Sequence, residues 1–245
     1  MGRVIMSGIV PTLKAPVTGV LASSLAVGST VKLMEGGTAV EYLVVNQGIP
    51  SNSNLYDASC DGTWLLRKDI HSNREWNTST VNTYANSAIN TWLNGDFFNS
   101  LGAIERTAIE WVRIPYCDGA GNITINSGAN GLSVKCFLLG GSEVGETATT
   151  YVPVDGAMLS YFESGNGASA KSKRLANYNG ATSEYWLRTP SSNTSITGNR
   201  IAGYVDSSGA ISSAAVRNSF GIRPALVLSS NALFDKTTML LKGVK

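Results

Sequence analysis

The chain has 245 residues, enough for one large domain or two small ones with a substantial buried core. Only 15% of its residues are charged, its net charge is +2, and no segment concentrates Lys and Arg, which argues against a nucleic-acid partner. Its 26 glycines, beside abundant Ser, Thr and Asn, forecast many turns and loops.

Residues 1–25 carry a short apolar run that Pro11, Lys14 and Pro16 interrupt before it could form a signal-peptide core. No span approaches membrane length, so neither secretory export nor membrane insertion is expected. The stretch reads as an extended arm that attaches the protein to a partner or to its own oligomer. Next, "GSTVKLMEGGTAVEYLVV" holds two strand-like runs around Glu35-Gly36-Gly37, a hairpin signal, and "TWLLRKDI" supplies another strand. Val81, Tyr84, Ala85, Ala88, Ile89, Trp92 and Leu93 recur on one helical face. They predict a helix over residues 79–93, capped by Ser79 or Thr80 and ended by Gly95-Asp96. A second helical stretch, residues 97–109, leads into the strand "EWVRIPY".

"CDGAGNITINSGANG" reads as a long polar loop and "LSVKCFLLG" as a strand. "DGAMLSYFES" reads as a short helix with Ala157, Met158, Tyr161 and Phe162 facing inward. From Leu187 onward only strands and loops are expected. Asp206-Ser207-Ser208-Gly209 turns between "RIAGYV" and "AISSAAV", and "GIRPALVL" makes a closing strand. Helices clustered in one block between strands indicate an α+β fold with mixed and antiparallel sheets, two or three helices and long loops. No repeat or composition break appears, so residues 26–235 form one domain, with a tail at 236–245.

The residues spell no reaction. Cys60, Cys117 and Cys136 are odd in number and far apart, which suits neither a disulfide framework nor a zinc site; they read as small buried hydrophobes in a reducing cytosol. The lone histidine, His71, lies near Asp69, but no Gly-x-Ser-x-Gly nucleophile elbow exists, and a surface or capping role suits it better. "GGSEVGET" has the spacing of a phosphate-binding loop, yet Glu146 stands where Lys is needed. Asp118, Asn122 and Asn126 lack the dense carboxylates of a calcium loop. No catalytic residue, metal or cofactor is expected.

"WLRTP", a loop-rich stretch, and then "NSFGIRPALVL" resemble the closing section of C-type-lectin-fold domains of phages and gut bacteria. These are the variable proteins diversified by retroelements, with a related domain family of unassigned function sharing Trp-Leu-Arg-Ser-Pro and Gly-Val-Arg-Pro-Ala. "VGSTVKL", "YDASCDGTWLLRKDI", "INTWLNGDFF" and "GANGLSVKCFLLGGSEVG" extend the likeness to roughly residues 18–235. The resemblance implies a C-type-lectin-like fold whose terminal strands frame a variable ligand-binding surface at residues 191–217. In such systems a mutagenic reverse transcriptase turns AAY codons into NNY, which cannot encode Trp, Met, Lys, Gln or Glu. Those five types are about one residue in eight overall, yet none occurs from Leu187 through Asp235.

Trp186 offers a large buried surface, Arg188 and Arg223 have forks able to tie loop carbonyls or a carboxylate, and Pro190 and Pro224 are expected to fix backbone angles where the chain leaves and rejoins the sheet. Gly209 suits a turn with positive φ, and Gly221 a close backbone approach. The positions matched to the variable surface are Ser192, Asn193, Thr194, Ser195, Thr197, Asn199 and Arg200, then Tyr204, Asp206, Ser208, Ser212, Ser213, Ala215 and Arg217. Tyr and Arg are residue types that dominate binding surfaces, and Ser and Asn supply adaptable contacts. Val205, Ile211 and Val216 are assigned to the sheet interior.

The calcium-dependent sugar-binding motifs of lectins are absent, and no active-site cysteine pair matches the formylglycine-generating enzymes that share a related fold. The resemblance therefore implies a non-enzymatic receptor-binding protein on a phage virion, made in the host cytoplasm. Its expected partners are a host-surface protein or glycan, virion proteins through the arm, and further copies of itself. A structural decoration or spacer protein is the alternative, and an enzyme of the formylglycine-generating type a third reading.

Overall fold

A computed structural model describes residues 18–51, 53–147, 152–194 and 200–245. Among them the protein is a mixed α and β structure, mostly sheet with few helices, in keeping with the α+β expectation. Along the chain come β1 (Val20–Leu21), β2 (Thr30–Glu35), β3 (Thr38–Gln47), β4 (Thr63–Arg67) and β5 (Ser72–Glu75). Helices α1 (Ala88–Trp92), α2 (Phe98–Ser100) and α3 (Ala103–Ala108) follow. Then come β6 (Val112–Ile114), β7 (Tyr116–Gly119), β8 (Asn122–Asn126), β9 (Leu132–Val134) and β10 (Cys136–Phe137). After α4 (Ala168–Arg174) lie β11 (Asn177–Tyr178), β12 (Ala181–Thr182), β13 (Tyr185–Thr194) and β14 (Arg200–Val205). The chain finishes with β15 (Ile211–Ala215), β16 (Ser219–Ile222), β17 (Ala225–Leu228), β18 (Ala232–Phe234) and β19 (Leu241–Val244).

Two five-stranded sheets organise the molecule, one in the order β10-β17-β4-β3-β2 and the other β15-β14-β13-β16-β5. The first is covered on both faces, which explains why β4 and β17 are apolar runs rather than alternating ones. One apolar cluster packs Val31, Leu33, Leu65 and Leu226 against α1–α3 and against Trp186 and Ile222. The other packs Trp64, Phe137 and Val227 with Tyr185, Leu187 and Val205. Trp64 meets Tyr56 and Phe137 edge-on at ring-centroid distances of 5.7 and 5.5 Å, a favoured aromatic geometry.

Several expected elements take another form. "GIRPALVL" is two strands in different sheets, β16 and β17, with the crossing at Arg223-Pro224. Arg67 N–H donates to Pro224 O and Arg223 Nε to Arg67 O, each at 2.8 Å, so the crossing is fastened to β4. The helix expected over 79–93 begins only after Ser87, whose hydroxyl accepts from Asn90 N–H. Upstream, Asn77 and Asn82 divert the chain. Asn77 Nδ2 donates to Val81 O, and Asn82 Nδ2 donates to Ser191 O and Ile201 O on other strands.

The stretch expected as a second helix breaks at Leu101-Gly102, where Gly102 N–H bonds Met34 O. The polar loop after Cys117 contains the β7–β8 hairpin. "DGAMLSYFES" is not helical. Its N–H groups go elsewhere, Ala157 to Tyr56 Oη, Leu159 to Glu143 O and Tyr161 to Val45 O. Ala157 and Phe162 are buried there, while Met158 is exposed.

Of the expected arm, residues 1–17 lie outside the described residues, and residues 20–21 pair with β18 as part of the domain. The C-terminal stretch likewise returns as β19 beside β18.

Two glycines show how steric demand grades. Gly36 has φ +53° with open space around it, whereas Gly209 has φ +84° and a Cβ there would sit 2.2 Å from Lys171 O. Gly36→Ala should cost about 1 kcal/mol from the backbone conformation alone, and Gly209→Ala at least about 2 kcal/mol. Urea-unfolding midpoints of the two variants check the order.

Candidate functional site

β13 lies at the middle of the second sheet, and Tyr185 through Ser191 are all buried. At its centre Arg188 is fully buried and uses every N–H of its guanidinium. Nε donates to Pro115 O (3.0 Å), Nη1 to Leu138 O (3.0 Å) and Glu143 Oε2 (2.6 Å), and Nη2 to Glu143 Oε1 (2.8 Å) and Asp155 O (2.7 Å). Burial works against the charge, but Glu143 and Asp155 outweigh it and hold the guanidinium ionised. Glu143 also accepts from Tyr56 Oη at 2.9 Å and from Gly140 N–H at 2.9 Å. The hydroxyl of the neighbouring Thr189 accepts from Gly141 N–H (2.6 Å) and donates to Asp155 Oδ2 (2.8 Å).

Pro190 fits a central strand because the β13–β14 register shifts on either side of it, between Trp186 and Pro190 and again between Pro190 and Thr194. Within the first shift Arg188 N–H leaves β14 and donates to Leu139 O. Trp186 is buried as expected, with Nε1 donating to Arg74 O. Arg223 binds the Arg67 carbonyl and lies over the Tyr185 ring with Cζ 5.3 Å from its centroid. A Cβ on Gly221 would approach Glu184 O to 2.7 Å, the close contact that its lack of a side chain allows.

Over this frame the nominated residues fall into three groups. Around the β13–β14 opening, Ser192 is half-buried, Asn193 and Thr194 end β13, and Ser195, Thr197 and Asn199 lie outside the described residues. Arg200 is half-buried, its N–H donating to Thr80 O, with its guanidinium beside Gly121 of the β7–β8 turn. Asn82 fixes the base of this opening through Ser191 O and Ile201 O (both 2.8 Å), while its Oδ1 accepts from Ala120 N–H (2.7 Å).

In the middle, Tyr204 is half-buried, 4.7 Å from Phe220 and 6.2 Å from Trp186 between ring centroids. It pairs with Ser212, and Gly203 pairs with Ser213. Strand alternation sends Tyr204 and Ser212 to one face and Ser213 and Ala215 to the other. β15 is the sheet edge, so Ser212 and Ser213 are nevertheless both exposed. Arg217 is exposed beyond it. Val205 and Val216 are buried and Ile211 is half-buried, packed on the second apolar cluster.

At the far end the turn is built tightly. Asp206 Oδ1 accepts from Ser208 N–H, Ser208 Oγ and Ala210 N–H. Burial resists the charge, but these hydrogen bonds hold the carboxyl below its usual range. Gly209 O accepts from the buried Arg174 Nε at 2.7 Å, which docks the turn onto α4. Asp206 and Ser208 thus shape the turn as well as bordering the surface. Asn82, Glu143, Asp155 and Arg174 were not singled out from sequence. Only Glu143, an acidic residue inside a glycine-rich apolar run, gave a signal.

Two carboxyl groups each keep one oxygen without a hydrogen bond. Asp155 Oδ1 and Glu146 Oε2 are buried without a hydrogen-bond partner among the described residues. Burial raises Asp155 to about 6 against the pull of Arg188, and burial together with Asp155 raises Glu146 to about 7. Burial pushes the Cys60 thiol up to about 12 and that of Cys117 to about 11.

Residues 61–230 match the family described as DUF6273, a domain of unknown function, and the chain belongs to that family. No curated protein and no solved structure matches it.

Arg188→Met leaves the buried Glu143 without its guanidinium partner and should cost about 3–5 kcal/mol, with Glu143→Gln added to it recovering part of the loss. Chemical denaturation of the single and double variants tests this. The Asp155–Glu146 pair binds protons more tightly folded than unfolded. Stability should therefore fall as pH rises from about 4 through about 7, by a few kcal/mol at most, with Asp155→Asn flattening the profile. Urea midpoints measured across that range give the slope.

Proposed function

We propose that this member of the DUF6273 family is a ligand-binding module of C-type-lectin-like fold, displayed on a phage particle and recognising a host-surface protein or glycan. The observation that carries the reading is a contrast along one strand and hairpin. Residues 185–191 of β13 are buried with the central guanidinium fully satisfied, while the adjoining β14–β15 hairpin presents small, uncharged, exposed Ser212 and Ser213 between Tyr204 and Arg217. Substitution at such exposed positions costs within about half a kcal/mol, so the surface can change while the frame stands.

The lack of Trp, Met, Lys, Gln and Glu from Leu187 through Asp235 supports diversification of adenine-containing codons by a retroelement. Binding rather than catalysis is supported by thiols held protonated. It is supported too by a candidate surface on which Asp206 and Arg217 lie beyond opposite ends of β15. Tyr204 and Arg217 would anchor the ligand, and display in many copies would multiply weak single contacts.

Labelled protein incubated with a panel of intact bacterial strains should bind a subset of them. Arg217→Glu combined with Tyr204→Phe, which keeps the ring packing, should lower that binding by at least about tenfold without moving the thermal midpoint. Binding to no strain, or binding indifferent to both changes, would overturn the reading and leave a structural virion component in its place. Independently, the neighbouring DNA should hold a near-copy of the 3′ coding segment that differs only at adenines.

A further inference from the structure

Among the described residues no strand pairs with the outer edge of β15, the last strand of the second sheet. Asp206 N–H donates to Ala210 O and Val216 N–H to Arg200 O, so the even-numbered residues of β15 bond to β14. Ile211, Ser213 and Ala215 therefore turn their N–H and C=O groups outward, where Asn218 N–H takes only Ala215 O. Natural sheets blunt such edges with charge, proline, shortness or a covering segment. The other edges of the two large sheets carry these devices. β5 has Arg74 and Glu75, β10 is two residues long, and β2 is bridged by Leu240 and Leu101. β15 reads Ile-Ser-Ser-Ala-Ala, with no charge and no proline, and at Ile211 it borders a pocket lined also by Gly145, Glu146, Thr147, Gly165 and Asn166.

We infer that β15 pairs antiparallel with β15 of a second copy of this chain, joining two sheets across a two-fold axis at Ser213. In that register Ser213 faces its own counterpart and the two exchange N–H···O=C bonds, while Ile211 O receives Ala215 N–H of the second copy. Small neutral side chains meet at the axis, so no like charges are opposed. At each end the exposed Arg217 of one copy comes alongside the Asp206–Gly209 turn of the other, whose carboxyl is held ionised. Charge complementarity thus favours a second copy over an arbitrary extended peptide. A single edge pairing buries less than a standard interface, so the dimer is expected at micromolar rather than nanomolar concentration.

The inference does not rest on the proposed binding role, and its readout needs no ligand. Sedimentation velocity on the full chain should show a concentration-dependent monomer–dimer equilibrium. Ser213→Pro, which removes an outward N–H from an exposed position, should weaken dimerisation by at least about tenfold while circular dichroism stays unchanged. Ser213→Cys should form a disulfide-linked dimer on mild oxidation, because directly opposed bonded positions lie about 5.5 Å apart between Cα atoms, whereas Ser212→Cys, offset from its own counterpart, should not. The native cysteines are buried and do not compete. A chain monomeric throughout, a dimer indifferent to Ser213→Pro, or equal cross-linking of the two cysteine variants would each overturn it.

Discussion

The structure depends on one buried guanidinium. Taking Arg188 out of water is unfavourable by many kcal/mol unless each donor finds an acceptor in good geometry, and here the acceptors come from separate stretches of chain. Pro115 precedes β7, Leu138 follows β10, Glu143 lies in the short turn after it, and Asp155 belongs to an irregular segment. None of these segments has enough regular structure of its own to be self-supporting. The charge at the centre of β13 makes their positions mutually dependent, since displacing one acceptor strands a donor in an apolar interior. Glu143 extends the dependence to Tyr56 and through it to Ala157. A fold rich in loops thereby acquires a rigid middle without a disulfide.

That rigidity is passed to the surface at two points rather than along its length. Asn82 holds the opening of the β13–β14 hairpin, and Arg174 holds the turn of the β14–β15 hairpin through Gly209. Between the two pins the hairpin relies on main-chain pairing and on the Tyr204–Phe220–Trp186 packing beneath it. Main-chain bonds are indifferent to side-chain identity, so exposed positions of β15 carry little of the stability. Tyr204 is different. It is half in the aromatic cluster, and its ring serves the frame as much as the surface.

The legible part of this architecture was the part written in residue types with one dominant use. Gly209, Gly221, Trp186, Arg188, Val205 and Val216 behave as their chemistry indicates, because steric freedom, bulk and a planar fork admit few roles. The errors arose where a side chain overrode a periodic pattern. The helical spacing of residues 79–93 is real, but Asn77 bonds the nearby Val81 carbonyl and Asn82 spends its amide on carbonyls of distant strands, so only a short 3-10 turn at Tyr84–Asn86 forms before Ser87 caps α1. Residues 155–164 fail as a helix for the matching reason, their N–H groups being claimed by Tyr56, Glu143 and Val45. Such long-range hydrogen bonds leave no local trace. Of the candidate surface, the Asp206–Gly209 turn was readable from turn chemistry, whereas the strand positions came from the resemblance alone. The division of Ser212 and Ser213 between faces depends on register, which sequence alone did not set.

The two proposals meet in one composition. A coding rule that keeps Lys and Glu out of a hairpin also removes the residues that most effectively protect a sheet edge from association. If β15 varies under that rule, its edge protection has to come from the backbone, and among the described residues the backbone supplies the Asn218–Ala215 bond and the docked turn. An edge so lightly guarded in every variant is better occupied by a constant partner than left open. Pairing with an identical strand meets this condition for any neutral side chains, because it uses main-chain groups that substitution does not change. It would also turn the paired faces of two copies into one broader surface, with Tyr204 and Ser212 of each copy on the same side of a continuous sheet.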